Sequence, residues 1–160
     1  TSNVTIDQRL AAAKRLKPEI VVAPDVAKGL SLDDAIHQAD LLSNHAEEVI
    51  MVPKDVHPSD IPKRFRVGLT MANFGSSAPW FLWEYRDCPS IHVLGGGPQR
   101  QFKALDHGLN VDSLDSTVLG IHAIYGIWDG KCMDAPDGWD YSRRLIESVN
   151  NYCKFLSEYS

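Results

Sequence analysis

The stretch that decides the fold is Ile91-His92-Val93-Leu94-Gly95-Gly96-Gly97, then a helical segment, then Asn110-Val111-Asp112-Ser113-Leu114-Asp115-Ser116-Thr117. An apolar run that ends on three glycines, a short helix, and a second strand whose C-terminal end carries two carboxylates, Asp112 and Asp115, form one βα unit and the start of the next. In parallel α/β sheets and barrels the chemistry sits at the C-terminal ends of strands. Gly95, Gly96, Asp112 and Asp115 are therefore expected on such a rim.

The same alternation extends outward. Residues 6–16 carry Ile6, Leu10, Ala13 and Leu16 on one stripe and Arg9, Lys14 and Arg15 on another, an amphipathic helix stopped by Pro18. Ile20-Val21-Val22-Ala23 is a continuous apolar run of the kind covered on both faces in parallel sheets, closed by Pro24-Asp25. Ser31 is placed to cap a helix through about residue 44, with Asp34 at its third position. Strands are predicted at 49–52, 67–71, 90–94 and 110–114, with a turn at 53–58. Helical segments are predicted at 60–65, 79–86 and 100–107, the last closed by Gly108. The third strand ends at Ala72-Asn73-Phe74-Gly75, and Pro79 suits a first helical turn. Beyond the fifth strand, 118–128 reads as helix, 129–138 as a turn-rich loop, and 141–159 as an amphipathic helix bearing Leu145, Ile146, Val149, Tyr152, Phe155 and Leu156.

One α/β domain is expected over residues 1–160: an N-terminal helix (1–17), parallel βα repeats (20–117) and a C-terminal helical region (118–160). Right-handed crossovers and a parallel sheet follow from this order. A closed barrel needs eight strands and typically about 250 residues. Five visible strands instead imply an open sheet, a partial or truncated TIM-barrel-like sheet, or one completed by a second copy or another polypeptide.

Composition narrows the class. The chain has 160 residues, 44% hydrophobic and 23% charged, which suits a globular domain with a real core. A formal charge of -5 argues against nucleic-acid binding driven mainly by counterion release, so any such contact is local. Cys88, Cys132 and Cys153 are odd in number and widely spaced, which encodes neither a disulfide framework nor a zinc site. His37, His45, His57, His107 and His122 form no ligand spacing, so no metal and no cofactor is expected. With no apolar run near the roughly 18 residues of a spanning helix and no secretion signal at the start, a soluble cytoplasmic protein without membrane contact is expected.

The strand-end residues resemble a known family. His92 to Gly97 followed by Asn110 to Thr117 resembles the late barrel strands of the tRNA-guanine transglycosylase superfamily, where a glycine-rich strand end precedes a Gly-Val-Asp-x-Phe-Asp strand. The likeness is greatest to the branch that inserts 7-deazaguanines into DNA in some bacteria and phages. Ala23-Pro24-Asp25 resembles the strand end bearing a base-recognising aspartate. Residues 48–54 are similar to the strand lining the base pocket, and Arg66-Val67-Gly68-Leu69-Thr70 to the Gly-Leu strand over which the base lies. The resemblance covers residues 20–117, and collinearity carries it, since Gly-Gly-Gly and Asp-x-x-Asp are each common. Lys54 stands where the tRNA enzymes have glutamine, and their arginine-rich segment and Cys-His zinc site are missing. The family's second base-recognising aspartate lies on an earlier strand, upstream of Thr1.

The resemblance implies exchange of guanine for a 7-deazaguanine base in nucleic acid, DNA in preference to tRNA, in the cytoplasm of a bacterial or phage-infected cell. Such exchange passes through an oxocarbenium-like transition state that a carboxylate traps covalently, as in retaining glycoside hydrolysis. It would use Asp115 as nucleophile and Asp25 against the base's N–H edge. Lys54, Gly68, Leu69, Thr70, Gly95, Gly96 and Asp112 would line the substrate, with Lys54, Arg64, Arg66 and Arg100 available to phosphates.

Plainer readings stand beside each role. Asp112 and Asp115 also suit helix caps, Asp25 a turn after Pro24, and Gly95 to Gly97 a simple loop. His92, inside an apolar strand, reads first as a hydrogen-bonded interior histidine. Trp80, Trp83 and Tyr85, following Phe74, suit an aromatic core and secondarily a base-stacking surface. Phe81 and Leu82 leave that segment apolar all round, which suits burial or a subunit contact. Two further functions fit the chain: an inactive binding or assembly protein on the same scaffold, acting as a homo-oligomer or with a second subunit, and a small phosphoryl- or nucleotide-handling enzyme.

Overall fold

A computed structural model describes residues 4–27, 29–71 and 80–158. The predicted strand end at 72–75, with Phe74, and the helix start at Pro79 lie outside the described residues. Five strands, β1 (Ile20–Val22), β2 (Glu48–Met51), β3 (Arg66–Thr70), β4 (Ile91–Leu94) and β5 (Val111–Leu114), form one sheet in the order of the chain. Every neighbouring pair is parallel. The sheet curls into a half-barrel, with β1 and β5 as its two edges. The partial TIM-barrel-like α/β architecture read from the sequence is the one observed.

Helices α1 (Ile6–Leu16), α2 (Leu32–Ser43) and α3 (Pro98–Asp106) have local causes. Thr5 and Gln8 close a capping box on α1, and Lys17 ends it in a left-handed conformation at φ 46. Ser31 accepts from the Asp34 amide and starts α2 as its sequence predicts. Pro98 occupies the first turn of α3, two residues before the predicted start. The main core lies between sheet and helices, joining Val49, Met51, Val67, Leu69, Ile91 and Val93 to Ala35, Ala39, Leu42 and Ala104. By strand alternation, Ile50, Val52, Gly68 and His92 face the concave side.

Several boundaries differ from the sequence reading, each for a physical reason. β1 is an edge strand with Ile20 38% exposed, not a strand covered on both faces. The helical turn predicted at 60–65 forms earlier, at Pro58–Asp60 under a His57 cap, because Pro62 holds Ile61 extended. The segment expected as a helix to residue 86 is a single 3-10 turn, Leu82–Tyr85. Within it Tyr85 is core, but Phe81 and Trp83 are 63% and 61% exposed and stacked at 4.2 Å, which corrects the aromatic-core reading for Trp83.

The predicted helix 118–128 stops early. α4 (Val118–Tyr125) ends at Gly126, and β6 (Ile127–Trp128) pairs antiparallel with β7 (Cys132–Met133) inside the region expected to be loop. At Gly126 any Cβ would meet the Met133 carbonyl oxygen at 2.0 Å, so only glycine lets the hairpin close. Gly126→Ala is expected to destabilise the protein by about 1–3 kcal/mol, read as a lower midpoint in urea. The hairpin delivers Trp128 into a second cluster with Phe102, Leu119 and Tyr152, against which Phe155 of α5 (Tyr141–Ser157) packs.

Candidate active site

Because all five strands are parallel, their C-terminal ends share one rim. Asp25 follows β1 there, Lys54 follows β2, Gly95 and Gly96 follow β4, and Asp115 follows β5. Asp25 and Asp115 thus stand on the same rim at opposite edges of the curl.

At the β1 side, Lys54 Nζ lies 2.6 Å from Asp25 Oδ2, with both side chains partly exposed. The pair presents an ammonium donor next to a carboxylate acceptor. At the β5 side, the Gly95 amide donates to Asp115 Oδ1 at 2.5 Å, and His92 Nε2 faces Asp115 Oδ2 at 3.6 Å. His92 is buried while the Asp115 side chain is 55% exposed. The facing His92 ring holds the Asp115 carboxyl below its ordinary value; partial burial opposes this, and the Gly95 N–H adds to it. The result is an accessible carboxylate whose anionic form is favoured.

A β-bulge aims that carboxylate. The β4–β5 register runs Ile91 to Val111, then His92 to Ser113, so Asp112 is the extra residue. Val111 and Leu114 both pack on the helix-side core although they are three positions apart, which strict alternation forbids. The inserted residue turns Ser113 and Asp115 to the concave side beside His92. Two glycines at the rim are dictated by backbone: Gly95 and Gly96 have φ of 63° and 75°, and a Cβ on Gly96 would sit 2.7 Å from the Met71 carbonyl oxygen.

Behind His92 runs a polar chain. His92 Nδ1 is 2.7 Å from Ser113 Oγ, and Arg66 Nη1 donates to that same oxygen at 2.8 Å. Arg66 also donates to Ser90 Oγ at 3.0 Å and pairs with Glu48 at 2.7 Å, while Asp112 lies 3.9 Å away and accepts from Ser90. Asp112, expected with the substrate-binding set, therefore sits at the start of β5 in this inner network rather than on the rim.

The other expected residues are placed as follows. Leu69 is fully buried in the helix-side core. Gly68 is buried, and the space before it is filled by the Val52, Leu94 and Ile50 methyls at 2.7, 2.8 and 3.0 Å from an ideal Cβ. Thr70 ends β3 half-buried beside Leu94. Of the cations read as free for phosphate, Arg64 is held bidentate by Asp40 and Arg66 lies in the inner network, while Arg100 is exposed. It lines a 300 Å³ cleft with Gly97, His122 and Trp128. Clefts of 160 and 460 Å³ lie by Glu48 and Arg66, and by Lys14 and Lys17. None of these three is lined by Asp25 or Asp115.

Sequence reasoning missed the residues that stitch the rim together. Gln101, fully buried in α3, donates to the Gly95 carbonyl at 2.9 Å and to the Asp115 carbonyl, and accepts from the Tyr152 hydroxyl at 2.5 Å. Burial pushes the Tyr152 hydroxyl up to about 12, so it stays a donor. Ser116 donates to the Gly96 carbonyl at 2.8 Å. One signal was available: Gln101 stands on the same stripe as Ala104 and Leu105, a polar residue in an apolar row. Among the described residues no group of His, Cys, Asp or Glu gathers to hold a metal ion, and no helix is long and apolar enough to cross a membrane.

No curated protein and no solved structure matches the chain. A family model described as a family of unknown function (DUF6610) matches residues 2–157.

Proposed function

The chain belongs to the DUF6610 family, a family of unknown function, and from the chemistry of its rim we propose that it is a transglycosylase-like protein that exchanges guanine for a 7-deazaguanine base in nucleic acid, DNA in preference to tRNA. The observation that carries this reading is Asp115: an exposed strand-end carboxylate, kept anionic by a backbone amide and a buried histidine. In the proposed step an Asp115 oxygen bonds to the sugar C1′ as the C1′–N9 bond breaks. The electron pair leaves with guanine, which takes a proton from solvent. The incoming 7-deazaguanine loses its ring N–H proton, attacks the same carbon and releases the carboxylate.

Asp25 and Lys54 support the base assignment by their chemistry. Guanine offers an oxygen acceptor next to N–H donors on one edge, which a paired ammonium and carboxylate complement and which adenine does not. Lys54→Met is expected to raise KM for base exchange about tenfold, the loss of one charge-assisted hydrogen bond. Lys54→Gln, which keeps a donor, is expected to retain most of the affinity. Steady-state exchange of labelled guanine checks both.

The reading is tested by incubating the protein with guanine-labelled DNA and tRNA and 7-deazaguanine bases, and measuring label release and a covalent protein–nucleic acid adduct. Release without Asp115, or no release from either substrate, overturns it. A second reading, an inactive assembly protein on this scaffold, is favoured by the packed concave middle over Gly68 and by two sheet edges, β1 and β5, that pair with no further strand among the described residues. It predicts self-association in sedimentation together with an Asp115→Ala variant that assembles unchanged.

A further inference from the structure

We propose that His92 is the positioning residue of Asp115, fixed as the tautomer with its proton on Nε2 by a hydroxyl relay that runs from Arg66 through Ser113. Its meaning for catalysis rests on the transglycosylase reading; the relay itself rests on geometry. A guanidinium only donates hydrogen bonds. Arg66 Nη1 lies 2.8 Å from Ser113 Oγ, so that oxygen accepts there and keeps its hydrogen and a second lone pair for the other neighbour. That neighbour is His92 Nδ1 at 2.7 Å. Nε2 faces the Asp115 carboxylate, which only accepts, so in the neutral imidazole the hydrogen is on Nε2, and Nδ1, left without one, takes the Ser113 hydroxyl hydrogen.

Nε2 faces Asp115 Oδ2 at 3.6 Å, just beyond hydrogen-bond length, a gap that closes in many sites when the reacting group is seated. The relay is polarised one way, from the Arg66 cation to the Asp115 anion. Glu48 from β2 and Asp112 from β5 flank Arg66 and hold it in place, and Ser90 ties it from the start of β4. On the far side, the Gly95 amide takes the other Asp115 oxygen. The Gly95 amide bonded to one oxygen and the His92 ring facing the other, from β4 and the turn that follows it, thus bracket the carboxylate and leave its exposed face toward the rim, the preorganisation a nucleophile needs.

The test uses the full chain labelled with ¹⁵N and ¹³C. Long-range ¹H–¹⁵N spectra are expected to show His92 as a single Nε2–H tautomer, and Ser113→Ala to relax it toward a mixture; a proton on Nδ1 in the wild type overturns the relay. In His92→Leu the Asp115 carboxyl is expected to titrate higher than in the wild type, because the ring that favours its anion is gone. His92→Gln, which keeps an N–H at similar reach, is expected to restore part of the shift. An unmoved midpoint in folded His92→Leu overturns the inference. In base exchange the same variant is expected to lower kcat about tenfold with KM nearly unchanged. If the wild type exchanges no base but the tautomer and titration hold, positioning stands and the transglycosylase reading falls. Full exchange by both wild type and His92→Leu has the opposite meaning.

Discussion

Asp115→Asn is expected to lower base exchange by on the order of a thousandfold or more and to abolish the covalent adduct, because an amide of the same size cannot trap the anomeric carbon. The substitution is conservative for the fold. The side chain is 55% exposed, and its main-chain amide bonds Val93 whatever the side chain is. A thermal melt unchanged within about 0.5 kcal/mol would accordingly accompany the lost activity. A denaturing gel of protein with an oligonucleotide reads the adduct directly.

The pH dependence follows with a definite sign. His92 and the Gly95 N–H favour ionised Asp115 over its acid form, so the carboxyl titrates below its ordinary value. Exchange is expected to be flat with respect to this group at neutral pH and to fall as the pH drops through that lowered midpoint. An acid limb above the usual carboxylate range would contradict the geometry around Asp115.

Trp128→Ala is expected to be the most destabilising single substitution named here, by about 3–5 kcal/mol. Trp128 is 2% exposed, meets the Tyr152 and Phe155 rings edge-on at 5.6 and 5.2 Å and the Phe102 ring tilted at 6.4 Å. Its backbone is held as well: the amide donates to Ser148 Oγ at 2.9 Å, and Asn151 donates to its carbonyl at 3.0 Å. The hairpin can therefore not move to fill the void, and unfilled volume makes such losses large. For a domain whose total stability is about 5–15 kcal/mol, urea unfolding should shift to a far lower midpoint. Ile146→Ala, at a 61% exposed position of α5, serves as the contrast and should shift it little.

Much of the fold was legible because local signals agreed. Ser31 with Asp34, Pro18 after the Ile6 stripe, Gly108 after α3, and the apolar runs at Val49 and Ile91 each decide a boundary within a few residues. The hairpin at Ile127–Trp128 was not, since Val118 to Trp128 is nearly all apolar and neither Gly120 nor Gly126 marks by itself where the helix ends. Only the close approach of Gly126 to Met133, a tertiary fact, ends the helix.

Asp25 and Asp115 were legible as rim residues because parallel strands put all C-terminal ends on one side. The chain from Arg66 through Ser113 to His92 was not, because its contacts span 47 and 21 residues and depend on one register shift. Strict alternation from Val111 would have set Asp112 beside His92. The bulge replaces it with Ser113, and with that turns a plausible cap into an aimed carboxylate.

Gln101 and Tyr152 are 51 positions apart, yet one hydrogen bond between them braces the loop ends at Gly95 and Asp115. During synthesis the sheet is complete long before the last helix emerges. Until Tyr152 arrives, the Gln101 amide that donates to both loop ends has no hydroxyl to fix its oxygen. The set of the rim is thereby tied to α5: a nascent chain halted before Tyr141 would own every described strand and still lack the hydroxyl that fixes Gln101 between its two loop ends.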